Sequence, residues 1–306
     1  SLLRMSLRLF KWGKLQRRIY DSLRSLYEPS FKNYLNQNTS DDEVDVFIKA
    51  KVIRLRQAST NPNLLKKAIP QSNLGYTNID NLEGLLANDI ELFEMISGYE
   101  SSGEVPAKFL AAINLINEII RRNEKVIVWA NFIDNITYLS NLLKKSGIKS
   151  KVLMGATPTK SEKTSDYEIA YTREGIIEEF HKQNSEFKVL IANPAAVGES
   201  ISLHQAPCRN AIYIERDYNA ATFLQSKDRI HRVGLPQDAV VNYYYLESAD
   251  SIDQEIDMQL RAKERMMIEI IEDQDIPIFN IGPDWSSSDL SYQDLKAMVD
   301  SYVSGK

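Results

Sequence analysis

From Lys125 onward, short apolar runs alternate with amphipathic stretches. Lys125-Val-Ile-Val-Trp129 has the pattern of a buried strand, and Ile133–Lys145 that of an amphipathic helix stopped by Gly147. Further strands are predicted at Ser150–Leu153, 187–192, 211–214 and 240–246, and helices at 172–182, around 220–232, and from 251 to about 271. Strands alternating with helices predict an α/β domain built on a doubly wound parallel sheet covered on both faces. Ligands of such sheets collect at the carboxyl ends of the strands, which directs attention to the loops after Ala130, Leu153, Ala192 and Ile214.

Residues 1 to about 100 read differently. Leu15, Ile19, Leu23 and Leu26 repeat at helical spacing, and Phe47, Val52, Ile53 and Leu55 do so less cleanly, predicting a helical region. The polar stretch 36–42 reads as a loop ending in a helix cap, and Ser101, Ser102, Gly103 and Pro106 mark a second break. The expected organisation is therefore a helical region over 1–104, the α/β domain over 105–275, and a serine-rich, acidic appendage over 276–306 with one short helix near 292–303. Arg4, Arg8, Lys11, Lys14, Arg17 and Arg18 recur three and four apart, so a helix would put several on one face; a solvated face and a DNA-contacting one both fit.

The chain has 306 residues, 43% of them apolar, enough for a sizeable core. No apolar run approaches the roughly 20 residues a bilayer requires, so a cytosolic protein is expected, associated with the nucleoid if the source is bacterial. Cys208 is the lone cysteine, and with His181, His204 and His231 it makes no ligand cluster spaced for zinc; no metal site is expected. A formal charge of -5 argues against a passive nucleic-acid coat, which would bind by neutralising many phosphates.

The densest candidate chemistry is Gln225-Ser-Lys-Asp-Arg229-Ile-His-Arg232-Val-Gly234. Two arginines at i and i+3, with a glutamine one turn before, form a positive fork suited to phosphate, because guanidinium groups give paired, charge-assisted hydrogen bonds and stay ionised. Alone, the segment fits a solvated helix equally well. Upstream, Val189-Leu-Ile-Ala-Asn-Pro-Ala-Ala-Val-Gly198-Glu-Ser200-Ile-Ser-Leu203 runs from a buried strand into a small-residue turn, where backbone amides can approach an anion; tight βα packing is the other reading.

In order and spacing, that turn, the strand at 211–214, Asp217-Tyr218-Asn219 and the Gln225 to Arg232 segment resemble motifs five and six of Swi/Snf-type DNA translocases of helicase superfamily two. Lys108, Lys125 to Phe132, Thr172 to Phe180, and Leu55-Arg56-Gln57 to Pro62-Asn-Leu-Leu65 extend the resemblance over roughly residues 15 to 270. It implies a RecA-like second helicase lobe in which Arg232 is the arginine finger, Arg229 its companion and Gln225 orients the helix. It further implies that Gly198, Glu199 and Ser200 sense the nucleotide, and that Asn131, Phe132, Asn193, Ala195 and Ser202 lie on the DNA side. The sequence departs from the family at Ser200, Pro194, Glu215, Tyr218 and Ala220, which replace a glycine, a threonine, an aspartate, a tryptophan and a proline.

No Gly-Lys-Ser or Gly-Lys-Thr phosphate loop occurs. Asp42-Glu43-Val44-Asp45 mimics a helicase acidic box, but the residues before it are polar where such a box needs an apolar strand, so it is expected to start a helix. The resemblance thus implies ATP and magnesium in a complete motor, DNA and a missing N-terminal ATPase lobe as partners, no membrane, and no ATP hydrolysis by this chain unaided, which reads as a fragment of a longer bacterial protein. The alternatives are a non-catalytic protein-interaction module, predicting no ATPase when the other lobe is supplied, and a nucleotide-sugar transferase, predicting crosslinking to a sugar nucleotide.

Overall fold

The computed structural model describes residues 2–37, 41–67, 89–160, 166–194, 207–231, 235, 239–272 and 291–305. In chain order the elements are β1 (Leu2–Phe10), α1 (Lys14–Leu35), α2 (Asp42–Thr60), a 3-10 turn (Pro62–Lys66), α3 (Ile90–Gly98), α4 (Ala107–Arg121), β2 (Lys125–Trp129), α5 (Ile133–Lys145) and β3 (Ser150–Leu153). There follow α6 (Asp166–Ile169), α7 (Arg173–His181), β4 (Val189–Ala192), β5 (Cys208–Tyr213), α8 (Ala220–Lys227), β6 (Val240–Ser248), α9 (Ile252–Glu272) and α10 (Tyr292–Ser304). The chain divides into two compact units that do not follow the linear order: Ser1–Leu9 with Lys108–Arg216 and Ala221–Glu247, and Phe10–Ala107 with Asp217–Ala220 and Ser248–Lys306.

The first unit is the α/β body. Its six strands lie in the order β1-β6-β5-β2-β4-β3, and the β3–β4, β4–β2, β2–β5 and β5–β6 pairings are parallel. Register is set by Val126 opposite Val189 on one side and Ala211 opposite Ile127 on the other. Every residue of β2 and β4 is buried, which is why these strands read as continuous apolar runs and not as alternations. Thr172 caps α7, its hydroxyl accepting from the Gly175 amide at 3.2 Å.

One expectation is overturned here. Residues 2–10 form a strand beside β6, not a helix. Arg4, Ser6 and Arg8 alternate with Met5, Leu7 and Leu9, a period of two that places the two sets on opposite faces; the same basic residues also satisfied a period of three to four, and pairing with the sheet selects the former. Lys14, Arg17 and Arg18 do lie on helix α1, where Arg17 pairs with Asp21 at 2.8 Å and Arg18 with Glu91 at 3.1 Å.

The second unit packs α1, α2, α3, α9 and α10 around a core rich in hydroxyls. The Tyr20 and Tyr302 phenol oxygens lie 2.8 Å apart, and the Ile252 amide donates to Tyr20 at 2.8 Å. Asp253 accepts from the Ser59 hydroxyl and the Ser248 amide, both at 2.9 Å. Gly13 gives α1 no side-chain cap; Glu104 supplies one, its carboxylate accepting from the Leu15 and Gln16 amides at 2.9 Å each. A Cβ at residue 13 would meet the Glu104 carboxylate oxygen at 2.2 Å, so a larger residue there would displace that carboxylate from its capping position. At the start of α2, Asp41 accepts from the Glu43 and Val44 amides, so the acidic run 42–45 is a capped helix start and not a sheet-edge box.

Candidate functional site

The carboxyl ends of β2, β4 and β5 are tied into one rim by backbone and carboxylate hydrogen bonds. The Ala130 amide donates to Ala192 and the Ile214 amide to Trp129, each at 3.0 Å, extending the strand pairings one residue past the strands. Asn193 then donates from its amide to Leu153 at 3.2 Å and from its side chain to the Asn131 carbonyl at 2.7 Å. The central piece is Glu215, 4% exposed. One oxygen of its carboxylate accepts from the Asn131 and Phe132 amides at 3.0 Å each and from the Asn135 side chain at 3.3 Å. Phe132, the residue that opens α5, offers no capping side chain, so a negative charge from the end of β5 satisfies amides at the positive end of that helix.

The chain leaves β5 through Glu215 and Arg216, and α8 follows. Arg216, 9% exposed, forms a buried ion pair with Glu247 at the end of β6, 2% exposed, and its guanidinium lies 4.4 Å from the Tyr245 ring centroid and 5.8 Å from that of Phe223. Breaking such a pair strands a charge in the interior, so the two strand ends are locked together.

Helix α8 is pinned over the sheet by two phenols. The Ser226 hydroxyl donates its proton to the Phe223 carbonyl at 2.6 Å, which leaves the Tyr213 phenol as donor in the 2.8 Å contact between Tyr213 and Ser226. Burial, with the neighbouring Tyr245 adding to it, holds that phenol's pKa well above its ordinary value, so it keeps the proton it donates. Tyr243 donates to the Lys227 carbonyl at 2.9 Å. The helix ends at Lys227, five residues short of the expected 232. Residues 228–230 continue as a turn, in which the Arg229 and Ile230 amides bond back three residues, to Ser226 and Lys227, at 3.4 and 3.3 Å. The Ser226 hydroxyl engages the backbone within the last helical turn, the competition that loosens helix ends.

Of the residues singled out from sequence, Asn131, Phe132 and Asn193 come together at this rim, all partly exposed. Gln225 is exposed on α8, while Arg229 is 8% exposed in the turn and Ile230 is fully buried. Arg232, Gly198, Glu199, Ser200, Ala195 and Ser202 lie outside the described residues. In the second unit, Arg56 is 3.8 Å from Asp217 and its guanidinium 5.8 Å from the Tyr218 ring, so the Leu55 to Leu65 segment meets the Asp217-Tyr218-Asn219 loop. Sequence reasoning missed the bridging role of Glu215 and the Arg216–Glu247 pair. The only sequence signal for the pair was a charge at the end of each of two apolar strands.

Residues 108–234 match the helicase conserved C-terminal domain. The chromatin remodeling factor mit1 of Schizosaccharomyces pombe is 23% identical over 252 residues, covering 81% of this chain and 15% of that protein. The chain spans about 15% of the length of the curated relatives it matches. Among solved structures, the C-terminal part of the Fun30 ATPase domain superposes with a TM-score of 0.61 at 19% identity, covering 99% of this chain and 97% of that one. The Sulfolobus solfataricus SWI2/SNF2 ATPase C-terminal domain does so at 0.52 and 15%, covering 97% of each chain. No helix among the described residues is long and apolar enough to cross a membrane. By these matches, residues 108–234 are similar to the helicase conserved C-terminal domain, and the fold is that of the C-terminal part of SWI2/SNF2-type ATPase domains.

Proposed function

We propose that this lobe is the second half of an ATP-dependent DNA translocase, supplying arginines to a nucleotide held by a preceding lobe and backbone contacts to DNA. The observation that carries the reading is the Glu215 bridge. One carboxylate joins the end of β5, which leads into the arginine turn, to the Asn131 and Phe132 amides at the end of β2. Helix α8, which ends in the arginine turn, is itself held to β5 and β6 by the Tyr213 and Tyr243 hydroxyls.

Arg232 would hold the transferring phosphoryl group and Arg229 would support it; guanidinium suits this because it remains charged and fits phosphate oxygens bidentately. Bound ATP supplies the phosphoryl transfer that drives movement, and its magnesium ligands are expected from the other lobe. Gln225 would orient the turn, and Gly198, Glu199 and Ser200 would report nucleotide state. Asn131, Phe132, Asn193, Ala195 and Ser202 would meet phosphates in preference to bases, giving little sequence specificity.

The test is a salt series of DNA binding with the protein containing both lobes, together with its ATPase. The expected result is DNA-stimulated hydrolysis and affinity that falls steeply with salt but varies little with base sequence. Sequence-dependent, salt-insensitive binding would overturn the DNA reading, and no ATPase with both lobes present would leave the chain an interaction module.

A further inference from the structure

At the opposite, amino-terminal ends of the strands the first unit has a second site, unconnected with the motor reading. A cavity of about 520 Å³ opens there, lined by Arg4 of β1, Arg122 after α4, Arg209 of β5, and Asn242 and Tyr244 of β6. Its volume falls within the range of small-ligand sites. Three arginines and one glutamate, Glu124, line it, in a chain whose net charge is -5; the Arg209 guanidinium also donates to the Cys208 carbonyl at 3.0 Å.

The floor is a fixed polar network where a sheet of this kind ordinarily buries apolar side chains. Arg122 donates to both oxygens of Glu124 at 3.1 and 3.2 Å. Asn210, buried, donates to Glu124 at 2.9 Å and to the Lys125 carbonyl at 3.1 Å, and accepts from Asn242 at 3.1 Å. Asn210 and Asn242 are register partners in β5 and β6, so the two amides stand side by side on one face, with Tyr244 two residues on along that face. Arg122 and the Asn242 amide are thus held before any ligand arrives, which reduces the ordering cost of binding. Arg4 is exposed at the cavity's edge, and no described residue pairs with it.

We propose that this cavity binds a phosphate group, as a small phosphorylated molecule or as a backbone phosphate of nucleic acid. Guanidinium groups arriving from three separate elements can each reach a different oxygen of one tetrahedral phosphate. The Asn242 amide and the Tyr244 hydroxyl add neutral donors. A planar carboxylate has only two oxygens to share among the same set.

The test is calorimetric titration of the 306-residue chain with pyrophosphate, a 12-nucleotide single strand, and a glutamate-only peptide. The titrations are repeated on the double variant Arg4→Glu with Arg209→Glu and on Arg4→Lys with Arg209→Lys, with melting curves confirming that each folds. Pyrophosphate or oligonucleotide binding weakened about tenfold or more in the glutamate variant and partly retained in the lysine variant is expected, since one charge-assisted contact carries about that factor. Dependence in the pyrophosphate arm identifies a free phosphate compound, and dependence in the oligonucleotide arm alone identifies nucleic acid. Binding of both probes that ignores the substitutions, absence of binding, or arginine dependence of the glutamate peptide alone would overturn the proposal.

Discussion

The two rims of the same sheet are built by different means. At the carboxyl rim a single carboxylate and a buried ion pair satisfy backbone amides and strand ends, and the interactions point inward: Glu215 to β2 and α5, Arg216 to Glu247. At the amino rim the network of Arg122, Glu124, Asn210 and Asn242 fixes a floor, while Arg4 beside it is exposed. On the proposed function the first rim belongs to a moving part, which needs its strand ends joined rigidly; on the proposed anion site the second needs donors oriented outward. The contrast teaches that charge at a strand end is read by its burial and partners, not by its sign.

Substitutions should separate the rims by the size of their effects. Arg216→Ala leaves Glu247 buried without its partner and is expected to cost about 3–5 kcal/mol in urea unfolding. A double-mutant cycle with Glu247→Ala should recover a large coupling, and a coupling near zero would remove the lock. Glu215→Ala strips three donors of a charged acceptor at the other carboxyl-rim anchor, with about 2–4 kcal/mol expected, whereas Glu215→Gln keeps an acceptor oxygen and should cost less. Tyr213→Phe removes one hydrogen bond to Ser226, for about 1 kcal/mol. Arg4→Ala at the exposed amino rim should stay within about 0.5 kcal/mol, and a larger loss would mean that this rim is structural too.

Cys208, at the amino end of β5, sharpens the comparison through pH. Burial pushes its thiol up to about 11. The folded state therefore favours the neutral thiol: the stability it contributes is present below the ordinary thiol range and is lost as pH rises from about 9 toward 11. Disulfide-exchange labelling at pH 8 should accordingly follow unfolding of the sheet, and rapid labelling of the native protein would contradict that burial.

Legibility followed the physics of each element. β2, α5 and β3 were predicted to the residue because their apolar patterns fit one period and glycine or polar residues close them. β5 begins three residues earlier than expected, because Cys208 and Asn210 satisfy polar neighbours and do not read as core. The basic residues of β1 fit two periods at once, and the neighbouring strand β6 decides between them. The C-terminal helix was visible, but not the Tyr20–Tyr302 contact that sets α10 in the second unit's core, since a pair 282 residues apart leaves no local trace. At the site, motif spacing pointed to Asn131, Phe132 and Asn193, whereas the Glu215 bridge joins residues over 80 apart and required coordinates.

The role of the arginines is open to a decisive experiment, steady-state ATP hydrolysis by the protein containing both lobes with Arg232 replaced by alanine. DNA-stimulated turnover is expected to fall on the order of a thousandfold while folding and DNA binding are retained. Turnover near that of the unaltered protein would contradict it.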